Sequence, residues 1–355
     1  MHIFNAMFGR GLGGIEQSFL DYNKALTLKN NQVTALIHPN AQIAGKLQEF
    51  IDNSPDASGQ VNIERVLNHG QWDSFAVHKL RKLIKKNKPD AIIAHGNRAI
   101  ALFTKAAHNL CPVIGLAHNY KIKRLLQTDA AFTITKDLKE KVTSLGKSTD
   151  CIFHIPNMLT LPDKRHHSRP FRNPPVIGAM GRFVSKKGFH SLLYALSHIK
   201  KEGLPFTALI GGDGEEKPHL QQLVIDLGLE DHVTFTGWIE DKESFLSEID
   251  IFCLPSLHEA FGIVLLEAWS HALPIVTTDA EGPMELVTDS ENACLVPRDN
   301  PEGLAQGLLT LLRSPKVAAS MGQQGNDLLY SLYAIDIVSQ KIQNALETIV
   351  SDYKE

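Results

Sequence analysis

The sequence has no Asp-x-Asp triplet, no Cys-x-x-Cys pair and no histidine–cysteine group at zinc spacing. Those absences argue against the usual metal and redox architectures, and no metal is expected. The four cysteines, Cys111, Cys151, Cys253 and Cys294, each sit in or beside an apolar segment. They read as free thiols in a reducing compartment. No apolar run approaches the roughly 20 residues that cross a bilayer. Met1 to Gly14 lacks the basic start and long apolar stretch of a signal peptide. There is no solenoid-period repeat and no low-complexity segment. The expectation is a cytoplasmic protein that could touch a membrane from that side, with no nucleic-acid partner.

What is present is ordinary in amount and unusual in order. At 355 residues, with 43% hydrophobic and 21% charged, the chain can bury two cores. Residues 1–175 carry 24 Lys+Arg against 13 Asp+Glu, whereas residues 176–355 carry 12 against 26. A split of this kind suggests that the halves meet different partners. Short apolar runs alternate with amphipathic stretches. Strands are predicted at Met1–Ala6, Gln32–Ile37, Ala91–Ala94, Val113–Leu116, Ala131–Ile134 and Ile152–Ile155. The pattern resumes at Val176–Met180, Phe206–Ile210, His232–Phe235, Ile251–Leu254 and Pro274–Thr277. Helices are predicted between them, among them Glu16–Leu28, Ser74–Lys86, Gly188–Lys200 and Gly262–His271. Alternating elements imply α/β domains with parallel sheets and right-handed crossovers. Leu161–Pro175, rich in proline and charge, reads as the linker. The division expected is residues 1–165 plus a terminal helix at 335–355, and residues 170–334.

Four constellations could carry chemistry. The loop Gly9-Arg10-Gly11-Leu12-Gly13-Gly14-Ile15-Glu16 follows the first strand and opens a helix. Its glycines and helix start suit a diphosphate, although tight turns use glycine anyway. The doubled Gly13-Gly14 is read as breaking the dinucleotide register. Gly181-Arg182-Phe183-Val184-Ser185-Lys186-Lys187-Gly188 opens the second half in the same way. There Arg182 and Lys187 supply cationic donors. Gly211-Gly212-Asp213-Gly214 is a further turn at a strand end. The most specific run is Pro255 to Ala268, where Glu259 stands in a loop and Glu267 roughly two turns into an apolar helix. A buried carboxylate is costly unless hydrogen-bonded. Vicinal sugar hydroxyls would satisfy it, and so would a structural cation. His95 and His118 each end a first-half strand, in places that suit either a ligand or a structural role.

These residues resemble the family 4 retaining glycosyltransferases, of the GT-B fold and the bacterial polysaccharide or lipopolysaccharide type. The resemblance rests on Gly13-Gly14-Ile15-Glu16, Pro156-Asn157, Gly181-Arg182 with Lys187-Gly188, Gly211 to Gly214, Gly237, and Glu259 with Phe261-Gly262 and Glu267. It implies two Rossmann-like doubly wound domains facing a cleft, with the last helix crossing back to the N-terminal domain. It implies that Arg182 and Lys187 hold a donor diphosphate and that Gly14 offers its N–H to the distal phosphate. By the same resemblance Gly13, Gly212, Gly237, Phe261 and Gly262 shape the donor site. Glu267 would bind ribose hydroxyls, Glu259 the sugar hydroxyls, and His118 would lie beside the transferred sugar. The donor expected is UDP- or GDP-linked, and the acceptor a glycan or lipid-linked group. Two positions depart from the family. Glu281 replaces a glycine in the loop Asp279–Glu285, and Met158 follows Pro156-Asn157 where glycine is common.

The function expected is retaining sugar transfer in cell-envelope polysaccharide or lipopolysaccharide synthesis. Its rivals are a non-catalytic nucleotide-sugar-binding regulatory subunit and a nicotinamide-dependent dehydrogenase. His78–Lys88 carries six Lys/Arg around Leu80, Leu83 and Ile84. It reads as a basic amphipathic helix suited to an anionic membrane surface.

Overall fold

The computed structural model describes residues 1–11 and 13–354, so Leu12 of the glycine-rich loop and Glu355 at the chain's end lie outside the described residues. The chain divides into two units, Met1–Thr160 joined by the chain from Tyr333 onward, and Leu161–Leu332.

The first unit is built on strands β1 (His2–Met7), β2 (Gln32–Ile37), β3 (Val61–Arg65), β4 (Ala91–His95), β5 (Val113–Ala117), β6 (Ala130–Thr133) and β7 (Ile152–His154). They pair in the order β3-β2-β1-β4-β5-β6-β7, all parallel. Residues of β4 and β5 are buried throughout. Parallel sheets covered by helices on both faces require such unbroken apolar runs. The helix Gly14–Thr27 lays Phe19, Tyr22 and Leu26 on this sheet. The terminal helix Ile335–Lys354 completes the same core with Ile335, Val338, Ile342, Leu346 and Ile349, a stripe at helical spacing. Where the chain leaves and re-enters the unit, Leu159 N–H donates to Tyr333 O and Ile335 N–H donates to Leu159 O, both at 3.0 Å.

The second unit repeats the plan with β8 (Val176–Met180), β9 (Thr207–Gly211), β10 (Val233–Gly237), β11 (Ile251–Leu254), β12 (Ile275–Thr278) and β13 (Cys294–Val296). Its order is β10-β9-β8-β11-β12-β13, again parallel. The core gathers Leu192, Leu196 and Ile199 with Ile251, Val276, Leu304 and Leu308.

Two strands were not legible in the sequence. β3 reads Val-Asn-Ile-Glu-Arg, with only Val61 buried, and β13 has three residues; both are edge strands. Edges need only one buried face, so their hydrophobic signal is weak. The segment read as the linker, Leu161–Pro175, is strapped to the second unit. Arg172 reaches the buried Asp250 at 2.8 Å, and Arg169 Nη2 donates to Ile249 O at 2.6 Å. Asp250 Oδ2 in turn accepts from Val176 N–H at 2.9 Å, at the start of β8.

Candidate functional site

In each sheet the strand order reverses once, between β1 and β4 and between β8 and β11. Open α/β sheets bind ligands beyond the carboxyl ends of strands at such a switch point. Most of the residues predicted from sequence fall on the loops that follow these strands.

In the second unit the loop after β8 closes with a short turn, Ser185–Lys187, and Gly188 caps the helix Phe189–Lys201. Gly188 has φ +65°, and a Cβ there would stand 2.0 Å from Pro255 O. Only glycine lets this loop seat against the loop after β11, where Leu257 N–H donates to Lys186 O at 2.9 Å. That seating brings Lys187 Nζ into an ion pair with Glu259 Oε2, both side chains largely covered. Arg182 is exposed and has no side-chain partner among the described residues. Gly212, at the end of β9, has φ +144° and lies against Gly181 O. Gly212 N–H donates to Gly237 O at 2.6 Å, so three predicted glycine positions form one packed turn cluster.

The helix Ile263–Ser270 begins after Gly262, which has φ +94°; buried Phe261 precedes it. Glu267 is its fifth residue, just over one turn in rather than two. It is 7% exposed. Its Oε1 pairs with Lys242 Nζ, whereas its Oε2 is buried without a hydrogen-bond partner. A buried carboxyl oxygen left without a partner invites a donor. The helices Gly14–Thr27, Phe189–Lys201 and Ile263–Ser270 all open without a side-chain cap. In Phe189–Lys201 and Ile263–Ser270 the third N–H already bonds the capping glycine's carbonyl, and among the described residues the first two N–H groups of each have no partner and suit an anion or hydroxyl.

Glu281, the departure from the family pattern, is built into this site. Its Oε1 lies 3.1 Å from His258 Nδ1 and from Arg298 Nη1, and Glu259 N–H donates to its Oε2 at 3.4 Å. Gly282 N–H donates to Glu259 O at 2.8 Å. Burial raises the Glu281 carboxyl, but hydrogen bonds from its own backbone, His258, Arg298 and the Glu259 amide outweigh this and hold it at about 2. Glu281 therefore braces the loop that carries Glu259. Sequence reasoning missed this brace, together with Arg298 and Lys242, because nothing in spacing ties them to the two glutamates.

In the first unit Gly13 precedes the helix and Gly14 is its first residue. Gly96 and Asn97, which follow β4, line a pocket with Ile15, His118, Asn119 and Lys121. His118 follows β5, and burial pushes its imidazole down to about 3. His95, the last residue of β4, is 2% exposed. Its pKa is likewise pushed well below the usual range, by burial and then by His118. The expected departure from dinucleotide register is corrected: Gly9, Gly11 and Gly14 meet the G-x-G-x-x-G spacing. Glycine register alone therefore does not separate a nucleotide-sugar from a dinucleotide.

The basic helix is Ser74–Asn87, and Leu80 and Ile84 are buried in the unit's own core. Its apolar stripe is thus not available to a bilayer as the sequence suggested. Trp72 and Phe75, just before and at its start, are 74% and 88% exposed. Among the described residues, His166, Glu243 and His271 form a group able to hold a metal. The two rings stack at 4.5 Å, and the Nε2 atoms of His166 and His271 lie 3.2 and 3.1 Å from the same Glu243 Oε1. No helix is long and apolar enough to cross a membrane among the described residues.

The comparisons with known proteins fit this geometry. Residues 162–327 match the family model of glycosyl transferases group 1. The lipopolysaccharide core biosynthesis glycosyltransferase LpsE of Rhizobium meliloti (strain 1021) is 27% identical over 96% of this chain and 97% of its own length. LpsD of the same organism is 28% identical over 94% of each chain. Among solved structures, Anabaena HepE in complex with UDP-glucose superposes with a TM-score of 0.81. It is 20% identical, and the match covers 98% of this chain and all of HepE. The lipopolysaccharide outer core galactosyltransferase WaaB gives a TM-score of 0.79 at 17% identity, covering 98% of this chain and 99% of WaaB. Two doubly wound parallel sheets of this kind are the GT-B fold, and with the family match and the sequence relatives they support a GT-B glycosyltransferase.

Proposed function

We propose that the chain moves a sugar, with retention of anomeric configuration, from a nucleoside diphosphate donor to a glycan or lipid-linked acceptor of envelope polysaccharide or lipopolysaccharide. The observation that carries this reading is Glu267, buried with one oxygen paired to Lys242 and the other without a donor. A ribose diol supplies two adjacent hydroxyls to such a carboxylate. Lys187 and Glu259 neutralise each other in the ligand-free chain. A donor would divide the pair, its phosphate taking Lys187 and a sugar hydroxyl taking Glu259. As the glycosidic bond breaks, negative charge grows on the departing diphosphate. Lys187, Arg182 and the uncapped starts of Phe189–Lys201 and Ile263–Ser270 are fixed donors for that charge, and no metal is needed to supply them. The names of LpsE and LpsD support the lipopolysaccharide acceptor class, and the UDP-glucose complex of HepE makes UDP-glucose the first donor to test.

The test is calorimetric titration of UDP, GDP, ADP and NAD, with Glu267→Ala as control. One nucleoside diphosphate should bind, and the substitution should weaken it roughly 10–150-fold, the value of a charge-assisted hydrogen bond. Binding of NAD alone, or of no nucleotide, would overturn the reading. Product from an α-linked donor should be α-linked by NMR; a β-linked product sinks retention.

The membrane part of the reading moves from the helix stripe to its entrance. Exposed Trp72 has Lys105 Nζ 4.5 Å and Arg124 Cζ 6.0 Å from its ring, and exposed Phe75 stands at the start of the basic helix Ser74–Asn87. Aromatic side chains beside cations suit the headgroup region of an anionic bilayer. Cosedimentation with anionic vesicles should exceed that with neutral ones and fall in a Trp72→Ser/Phe75→Ser chain; equal binding to both vesicle types refutes it.

A further inference from the structure

A line of buried polar groups runs through the first unit's switch point. Asn5 on β1 is fully buried. Its Nδ2 donates to Phe19 O at 3.3 Å, and its Oδ1 lies 2.8 Å from His95 Nε2. His95 Nδ1 lies 3.1 Å from His118 Nε2. The sheet register puts these groups together: Asn5 faces Ile93 and Met7 faces His95, so Asn5 and His95 project from the same face of neighbouring strands. The rings of Phe19 and Tyr22 pack edge-on against His95 at 5.5 and 5.1 Å and hold its plane.

Hydrogen positions along this line are not free. The backbone carbonyl of Phe19 can only accept, so the Asn5 amide must turn its NH2 toward it. The Asn5 carbonyl then faces His95 and requires a proton on Nε2. In a neutral ring, His95 Nδ1 is consequently bare and must receive its hydrogen bond from His118 Nε2–H. That leaves His118 Nδ1 as a lone pair. It has no partner among the described residues, and His118 lines the pocket with Gly96, Asn97 and Asn119.

We propose that Asn5 and His95 are positioning residues that fix the hydrogen-bonding direction of His118, so that its Nδ1 offers an acceptor to a ligand hydroxyl in the first unit's pocket. This rests on the sugar-transfer reading for its substrate class. The ligand group that fits is a sugar hydroxyl, which brings a hydrogen. A phosphate or carboxylate oxygen would meet the lone pair with another lone pair and be disfavoured. His118 also stays neutral at neutral pH because burial depresses its pKa. It therefore serves recognition and orientation of the sugar rather than proton donation to it.

The experiment is long-range proton–nitrogen NMR of the imidazole rings in the ligand-free full chain at pH 7. Signals are assigned from the ones lost in His95→Gln and His118→Gln. Both rings should be neutral with hydrogen on Nε2. A His118 carrying its proton on Nδ1, or carrying two, overturns the proposal, and this reading needs no other variant to fold. Asn5→Asp then supplies a directed perturbation. The carboxylate stabilises a doubly protonated His95, whose Nδ1–H now donates to His118 Nε2 and drives the His118 proton to Nδ1. That shift should accompany a loss of roughly 3–10-fold in kcat/KM, the scale of one neutral hydrogen bond. It should also bring a pH dependence absent from the parent profile. An unchanged His118 tautomer in Asn5→Asp with His95 protonated also refutes the mechanism. Because the tautomers are read without substrate, their outcome is separate from whether transfer is observed.

Discussion

Both units carry glycine-bearing loops at the ends of their strands, and glycine is there for different reasons. In the second unit a Cβ on Gly188 or Gly212 would stand about 2 Å from a backbone oxygen, at positive φ, as the 2.0 and 1.9 Å distances show. Those glycines are demanded by packing. In the first unit Gly9 is packed as well, since a Cβ there would overlap Glu16 Oε1, but a Cβ on Gly11 or Gly14 would meet nothing within 4 Å among the described residues, and neither position needs a positive φ. Glycine in a sequence therefore marks close approach, but only the structure tells whether chain or ligand makes the approach.

The difference can be broken most sharply with paired alanines. Gly212→Ala should destabilise the second unit by more than about 3 kcal/mol, since both overlap and backbone strain oppose it. Gly14→Ala should leave stability unchanged or raise it by about 0.4–1 kcal/mol. Urea denaturation and calorimetry of the two chains decide this; a Gly212→Ala chain as stable as its parent ends the comparison. Next in size, Lys187→Ala should cut kcat/KM roughly 10–150-fold with little change in fold, because the lost interaction is charge-assisted and made to the ligand. Kinetics within threefold of the parent would move the diphosphate away from the second unit's loop.

The smallest effect separates the units by acid sensitivity. His38, His95 and His118 in the first unit all have pKa values lowered by burial, with His118 at about 3. Unfolded histidines titrate near 6.5, so as pH falls below that the unfolded chain takes up protons that the folded one refuses. Stability of the first unit should therefore decline from about pH 6.5 toward 3. The second unit has one such histidine, His271, also lowered first by burial, and the depressed carboxyl of Glu281. Glu281 contributes stability above its ordinary value near 4.5, and that contribution is lost as pH falls toward 2. Hydrogen exchange at pH 7, 5.5 and 4.5 should show β1, β4 and β5 losing protection before β8 and β11. The reverse order contradicts the assignment of buried neutral imidazoles to the first unit.

Much of this was legible from pattern alone. Eleven of the strands were read from sequence, most of them as apolar runs between turn signals, which is what burial in a parallel sheet imposes; β10, Val-Thr-Phe-Thr-Gly at a sheet edge, is mixed. Glu259, Glu267, Arg182 and Lys187 stood out because charge beside glycine, at strand ends or inside an apolar helix, needs a reason. The partners of those residues did not stand out. Lys242 sits 25 positions from Glu267, and Asn5 sits 90 positions from His95. Such pairs are made by the fold, and no local spacing encodes them. Glu281 shows the converse limit: in sequence it is only a replaced glycine, yet its carboxylate holds the Glu259 loop in place.

The return of the last helix to the first unit has a consequence for how the chain is made. Phe19 and Leu26 share their core with Ile335, Val338, Ile342 and Leu346. These partners are synthesised only after the whole of Leu161–Leu332, the second unit. At roughly 5–20 residues per second the first unit waits on the order of 10–35 s with one wall of its core missing. The second unit, contiguous in sequence, has no such wait. The part of the chain that emerges first is thus the part that finishes folding last. A truncation at the C-terminus would expose the apolar face of the N-terminal unit.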